Sequence, residues 1–211
     1  MKSESLQLDG PAGPIEALLE SPDEAAAPAA FAIVCHPHPL FGGTLTNKVV
    51  HTLARACVQA GAPALRFNFR GVGASAGVHD HGQGEVEDLL AVVDWGRRRW
   101  PQADLWLGGF SFGAYVALRG SLRAGARRLI TVAPPVGRWD FSEVRLPRCP
   151  WLIIQGDSDE LVDAAAMADW ARGTGAPHRL LLLPGADHFF HGRLHELKDA
   201  VAGFLAAPGE R

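Results

Sequence analysis

The chain has 211 residues, with 20 Lys and Arg against 23 Asp and Glu, for a net charge of −3. At 47% hydrophobic and 20% charged residues it has the balance of a globular protein, which excludes a disordered chain and a coiled coil, and the length suits one core rather than two. Its isoelectric point near 6.3 and its scattered basic residues exclude a nucleic-acid footprint. The 24 glycines and 15 prolines imply many tight turns between short elements, which favours a fold containing a sheet over a helical bundle.

The first elements are two edge strands, residues 5–8 and 15–19, joined antiparallel across the turn-rich segment 9–14. Residues 24–30 read as a surface loop. Beyond it, apolar or β-branched runs alternate with amphipathic stretches of helical length, the pattern of βα units stacked on a largely parallel sheet. The reading in chain order is a strand at 31–35, a helix at 47–60, a strand at 64–69, a helix at 85–99 and a strand at 105–108. There follow a helix at 112–123, strands at 129–132 and 151–155, a helix at 164–172, a strand at 179–183 and a last helix at 194–205. These segments amount to eight strands and five helices. In the helix at 85–99 the apolar stripe is Val86, Leu89, Leu90, Val93 and Gly96, with Glu85, Glu87, Asp88 and Asp94 expected to face water. The arginine runs Arg97-Arg98-Arg99 and Arg127-Arg128 are expected near helix ends, where cations complement the helix dipole.

Cys35, Cys57 and Cys149 are odd in number and far apart, so they form neither a disulfide framework nor a zinc pattern, and a reducing cytoplasm is expected. Residues 1–5 run into polar sequence without the apolar block of a secretory signal, and the other apolar runs are strand-sized, so a soluble protein with no membrane partner is expected.

Chemistry enters at Gly109-Phe110-Ser111-Phe112-Gly113, a G-x-S-x-G set between a strand and a helix. A sharp strand-to-helix turn lifts the serine Oγ clear of the sheet, and only small residues two positions away avoid a clash. The same turn aims the Phe112 N–H, at the helix N-terminus, to where an oxyanion would form. A serine is a weak nucleophile until a base takes its proton, and that base needs an orienting carboxylate. Two loops that leave the carboxyl edge of the sheet offer them: residues 156–162, with Asp157 and Asp159, and residues 184–188, with Asp187 and His188.

His36-Pro37-His38-Pro39-Leu40-Phe41-Gly42-Gly43-Thr44, with Asn47-Lys48-Val49-Val50, resembles the corresponding segment of the small dienelactone-hydrolase-like serine hydrolases of bacteria, within the α/β-hydrolase superfamily. Residues 65–75 and 185–192 resemble the same group, and with the serine turn the likeness covers essentially the whole chain. The resemblance implies an α/β-hydrolase fold, one domain over residues 1–211, with a mostly parallel sheet covered by helices on both faces. It further implies that Ser111 is the nucleophile, Asp159 the acid in G-x-x-D-x-x-V and His188 the base. Asp157 stands as the alternative acid, though a carboxylate there more naturally bonds turn amides. Asp187 precedes His188 directly and should point away from the ring's reacting face. His191 and His195 are expected as capping or surface residues, and His36 as a structural residue of its loop. True dienelactone hydrolases carry a cysteine nucleophile where this chain has Ser111, so that substrate does not follow.

A second oxyanion donor should come from the loop after the third strand of the chain. Pro37 and Pro39 have no N–H, which leaves His38 and Leu40, and the family's pattern favours His38. Only residues 133–150 separate two strands where many relatives insert a lid, too few for a lid domain. A shallow pocket is expected, with Phe41, Phe110, Phe112, Val136, Trp139 and Phe189 as apolar candidates. The resemblance therefore implies a lidless serine hydrolase of short-chain carboxylic esters that needs no metal or organic cofactor and takes a small-molecule ester as its partner. An acyl thioesterase, or a small-molecule-binding protein on the same fold, are the alternatives.

Overall fold

Alternating burial from Ile15 onward draws a first hairpin onto the core: β1 (Lys2–Gly10) and β2 (Gly13–Ser21) pair antiparallel through the Gly10–Gly13 turn. These elements, and all that follow, come from a computed structural model that describes residues 1–23 and 27–207. β2 is not an edge strand as expected, because its other side pairs antiparallel with β4 (Ala64–Phe67), leaving β1 alone at that edge. The remaining strands are parallel: β3 (Ala30–Cys35), β5 (Asp104–Phe110), β6 (Arg128–Val132), β7 (Trp151–Gly156) and β8 (Arg179–Leu183). The order across the eight-stranded sheet is β1-β2-β4-β3-β5-β6-β7-β8. Every residue of β3 and β7 is buried, as a parallel strand covered on both faces requires.

Among the described residues five α-helices cover the sheet, one for each expected helical segment: α1 (Lys48–Gln59), α2 (Gln83–Arg99), α3 (Phe112–Gly120), α4 (Ala164–Gly173) and α5 (Leu194–Ala206). Among the described residues the other helical turn is a single 3-10 turn at Pro39–Phe41. Asn47 caps α1, its side chain accepting from the N–H of Val49 and of Val50. One core packs α2, α3 and α4 on one face of the sheet, around Leu89, Val116 and Met167; the other packs α1 and α5 on the opposite face, around Leu53 and Val201.

Local expectations fail at two places, under the loop that folds over α2 and at the early end of α3. Glu85 and Asp88 are buried rather than solvated. Asp88 takes a bidentate ion pair from Arg70 at 2.8 and 3.0 Å, and Glu85 accepts the N–H groups of Asp80 and Gly82 beneath the 70–82 loop. α3 stops at Gly120, where Ser121 turns both its N–H and its hydroxyl onto the Leu118 carbonyl. Arg127 and Arg128 consequently lie at the entry to β6 rather than at a helix end, whereas Arg97, Arg98 and Arg99 do occupy the last turn of α2. Of the expected loop at 24–30, residues 24–26 lie outside the described residues and Ala30 already belongs to β3. Cys35, Cys57 and Cys149 are free and buried, and among the described residues no helix is long and apolar enough to cross a membrane.

Candidate active site

β5 runs without a loop into α3, and Ser111 takes the whole change of direction with φ 53° and ψ −121°. A side chain at positive φ stores strain on the order of 1–3 kcal/mol, and the surroundings hold it there: the Ser111 N–H donates to the Val132 carbonyl at 2.8 Å. The two flanking glycines are required by contact. A Cβ on Gly109 would sit 2.2 Å from the Gly113 carbonyl oxygen, and one on Gly113 would sit 2.3 Å from that of Cys35. The elbow closes only because neither residue has a side chain.

The loops after β7 and β8 bring two further side chains to Ser111. His188 Nε2 lies 3.1 Å from Ser111 Oγ, and its Nδ1 lies 2.8 Å from Asp159 Oδ2. Both the histidine and the carboxylate are buried, and Phe110 packs against the imidazole at 5.1 Å between ring centres. Asp159 Oδ1 accepts the N–H groups of Leu161 and Val162, each at 2.8 Å, while Oδ2 also accepts from Gln155 Nε2 at 2.7 Å. Burial pushes this carboxyl's pKa up, but the bonds from His188, Val162 and Leu161 outweigh it and hold it below the usual 3.8. An ionised Asp159 keeps the proton of His188 on Nδ1 and leaves the Nε2 lone pair toward the serine hydroxyl.

The same two loops are stitched together away from the ring. Asp157 Oδ1 accepts the Gly185 N–H at 2.6 Å, Ser158 donates its N–H to the Ala186 carbonyl, and the His188 N–H donates to Glu160 Oε2 at 3.1 Å. Asp157 thus bonds a turn amide and does not reach the imidazole. Asp187 turns to His191, whose Nδ1 lies 2.7 Å from it at the surface, and His195 is exposed beside Glu196. His36 is fully buried; it donates from Nδ1 to the Pro37 carbonyl and accepts the Phe69 N–H on Nε2 at 3.0 Å, tying the loop after β3 to the segment that follows β4. Desolvation lowers its pKa to about 4.

In the loop after β3 the Leu40 N–H is taken by His38 Nδ1 at 3.2 Å, whereas among the described residues the N–H groups of His38 and Phe112 meet no acceptor. Next to them is a cleft of about 450 Å³ that reaches Ser111 and His188, with Phe41, Phe112, Trp139, Leu161, Val162 and Phe189 as its apolar wall. Phe110 and Val136 do not line it as expected: Phe110 lies beneath the His188 ring and Val136 packs on the core. Sequence reading missed Gln155, Glu160, Leu161 and Val162, because the bonds they make depend on how a single turn is folded. It also missed Arg138, which enters the cleft wall and donates to the Leu161 carbonyl at 3.0 Å. Among the described residues no group of three or more His, Cys, Asp or Glu side chains is arranged to hold a metal ion.

No family model matches the chain. A crystal structure of a lidless α/β serine hydrolase from Xanthomonas campestris superposes with a TM-score of 0.93 at 46% identity, over 99% of this chain and 98% of that one. An uncharacterized protein of Rickettsia prowazekii is 36% identical over 95% of this chain and 87% of its own length. A dienelactone hydrolase from Anabaena variabilis shares the fold, with a TM-score of 0.78 at 15% identity over 96% of each chain. With the strand-to-helix elbow, the sheet order and near-complete coverage at 46% identity, the chain belongs to the lidless α/β serine hydrolases.

Proposed function

We propose that this hydrolase cleaves small carboxylic esters by acyl transfer to Ser111. His188 Nε2 takes the Ser111 proton as Oγ attacks the ester carbonyl carbon, and the carbonyl oxygen becomes an oxyanion held by the N–H groups of Phe112 and His38. Collapse of that intermediate breaks the ester C–O bond, and the alcohol leaves with the proton from His188. Water then attacks the acyl-serine, gives its proton to His188, and the acid leaves as Ser111 Oγ recovers that proton. Asp159 orients the imidazole and stabilises the imidazolium without taking its proton.

The single observation that carries this reading is the hydrogen-bonded run from Ser111 Oγ through His188 to Asp159, at 3.1 and 2.8 Å, at the head of a strained elbow. The apolar cleft wall supports an ester with a small hydrophobic acyl or alcohol part. The test is labelling with a fluorophosphonate, which phosphonylates an activated serine with loss of fluoride, followed by parallel panels of acyl esters and acyl thioesters. Expected are labelling that Ser111→Ala abolishes and turnover of the esters. Labelling that survives Ser111→Ala would overturn the mechanism, and faster turnover of matched thioesters would overturn the substrate class.

A further inference from the structure

Gln155 is the next-to-last residue of β7 and is fully buried, four residues before Asp159. Its Nε2 lies 2.7 Å from Asp159 Oδ2 and 3.2 Å from the Gly156 carbonyl. Both neighbours are acceptors, so the amide must present its NH₂ group to them, and its Oε1 is left facing the other way, where among the described residues it meets no donor. A buried acceptor without a donor costs free energy that an apolar side chain of the same length would not. Packing alone therefore gives no account of an amide here, whereas the bond to Asp159 does.

Resting on the assignment of Ser111, His188 and Asp159 made above, we propose that Gln155 is a positioning residue that pins Asp159 Oδ2 on the His188 Nδ1–H and draws off part of the carboxylate's charge. With Gln155 in place, Asp159 has a donor for each of its lone pairs: Leu161 and Val162 on Oδ1, His188 and Gln155 on Oδ2. Without it, Oδ2 has one donor and room to rotate, and its undivided charge holds a proton on the imidazole more tightly. The other ionisable groups around His188 are satisfied independently of Gln155. Glu160 accepts the His188 N–H, Asp157 accepts that of Gly185, and Asp187 pairs with His191; His38 and Arg138 stand in the cleft wall. A change confined to residue 155 therefore reads its own effect on the histidine.

The test compares Gln155→Met and Gln155→Leu, which keep the bulk and remove both the donor and the orphaned carbonyl, with the wild type. Three quantities are measured: the melting temperature, kcat and KM on an acyl ester, and the titration of His188 by NMR of ¹⁵N-histidine-labelled protein, assigned through His188→Gln. Expected are an undiminished melting temperature, kcat about tenfold lower at unchanged KM, and a His188 pKa raised by roughly half a unit or more. An unmoved His188 titration would overturn the proposal, whatever happens to stability. So would failure of both variants to fold, since a residue kept for position alone leaves packing intact when replaced by an apolar one of its size. Retained hydrolysis in Ser111→Ala would instead remove the nucleophile assignment, while the NMR comparison still decides whether Gln155 acts on the Asp159–His188 pair.

Discussion

Asp159→Asn and Asp157→Asn separate two carboxylates on one turn, and the structure allows the consequences to be worked out bond by bond. If the amide that Asp159→Asn introduces keeps its carbonyl on the Leu161 and Val162 N–H groups, its NH₂ faces two other donors, Gln155 Nε2 and His188 Nδ1–H. The imidazole escapes by moving its proton to Nε2, which then has no lone pair for the Ser111 hydroxyl. On that account kcat falls by about 10⁴. Two bonds to a buried charge are broken, each worth about 1.5–3 kcal/mol. Since the tautomer change recovers part of that, a net loss of about 3 kcal/mol is expected, or roughly 6–12 °C in Tm for a domain of this size. A solvent-exposed turn carboxylate would cost far less. In Asp157→Asn the carbonyl still accepts the Gly185 N–H, so kcat should stay within about threefold and stability within about 1 kcal/mol of the wild type. Steady-state kinetics on an acyl ester and calorimetric melting of both variants check this. A large kinetic loss in Asp157→Asn with Asp159→Asn spared would refute the assignment of the acid.

Ser111→Ala should lower kcat/KM by on the order of 10⁴ to 10⁶ and leave the melting temperature nearly unchanged, because the Cβ and the backbone turn remain; residual turnover within about tenfold of wild type would remove Ser111 from the mechanism. A cleft of about 450 Å³ with no lid over it should favour short acyl chains. Each further CH₂ it buries adds about 0.8 kcal/mol, so a kcat/KM that keeps climbing through long chains would show apolar surface beyond this cleft. His36 predicts a pH dependence of stability rather than of activity. Its pKa is about 4 when folded against the usual 6.5 of a histidine in the unfolded chain, so between those values the unfolded chain binds the extra proton and stability rises with pH. About 3 kcal/mol should be present above pH 6.5 and lost as the pH falls toward 4. Denaturant titrations of wild type and His36→Gln over that range check it, and equal slopes for the two would contradict the burial argument.

The order of strands and helices and the elbow at Ser111 were legible in the chain because they rest on local signals. Continuous apolar runs mark the buried strands, three-and-four spacing marks the helices, and Gly109 and Gly113 mark a turn that admits no Cβ. His188 could be singled out because it follows a strand that a parallel sheet must end on the same edge as Ser111. The burial of Glu85 and Asp88 was not legible. Helical periodicity places charges on a face, but whether that face meets water depended on the loop from Arg70 to Gly82 folding over it. The choice between Asp157 and Asp159, separated by one residue, likewise turned on which carboxylate a single turn aims at the imidazole and which it aims at the Gly185 N–H. Composition, periodicity and the G-x-S-x-G glycines by themselves determined an α/β sheet with a serine on a sharp turn at its carboxyl edge, because each is a property of neighbouring residues. Tertiary structure alone decided the partners of Asp159, the Leu40 N–H taken by His38 Nδ1 where that of His38 meets no acceptor among the described residues, and the bond from Gln155 Nε2 to Asp159, because a hydrogen bond forms or fails over less than an ångström and sequence spacing does not resolve that distance.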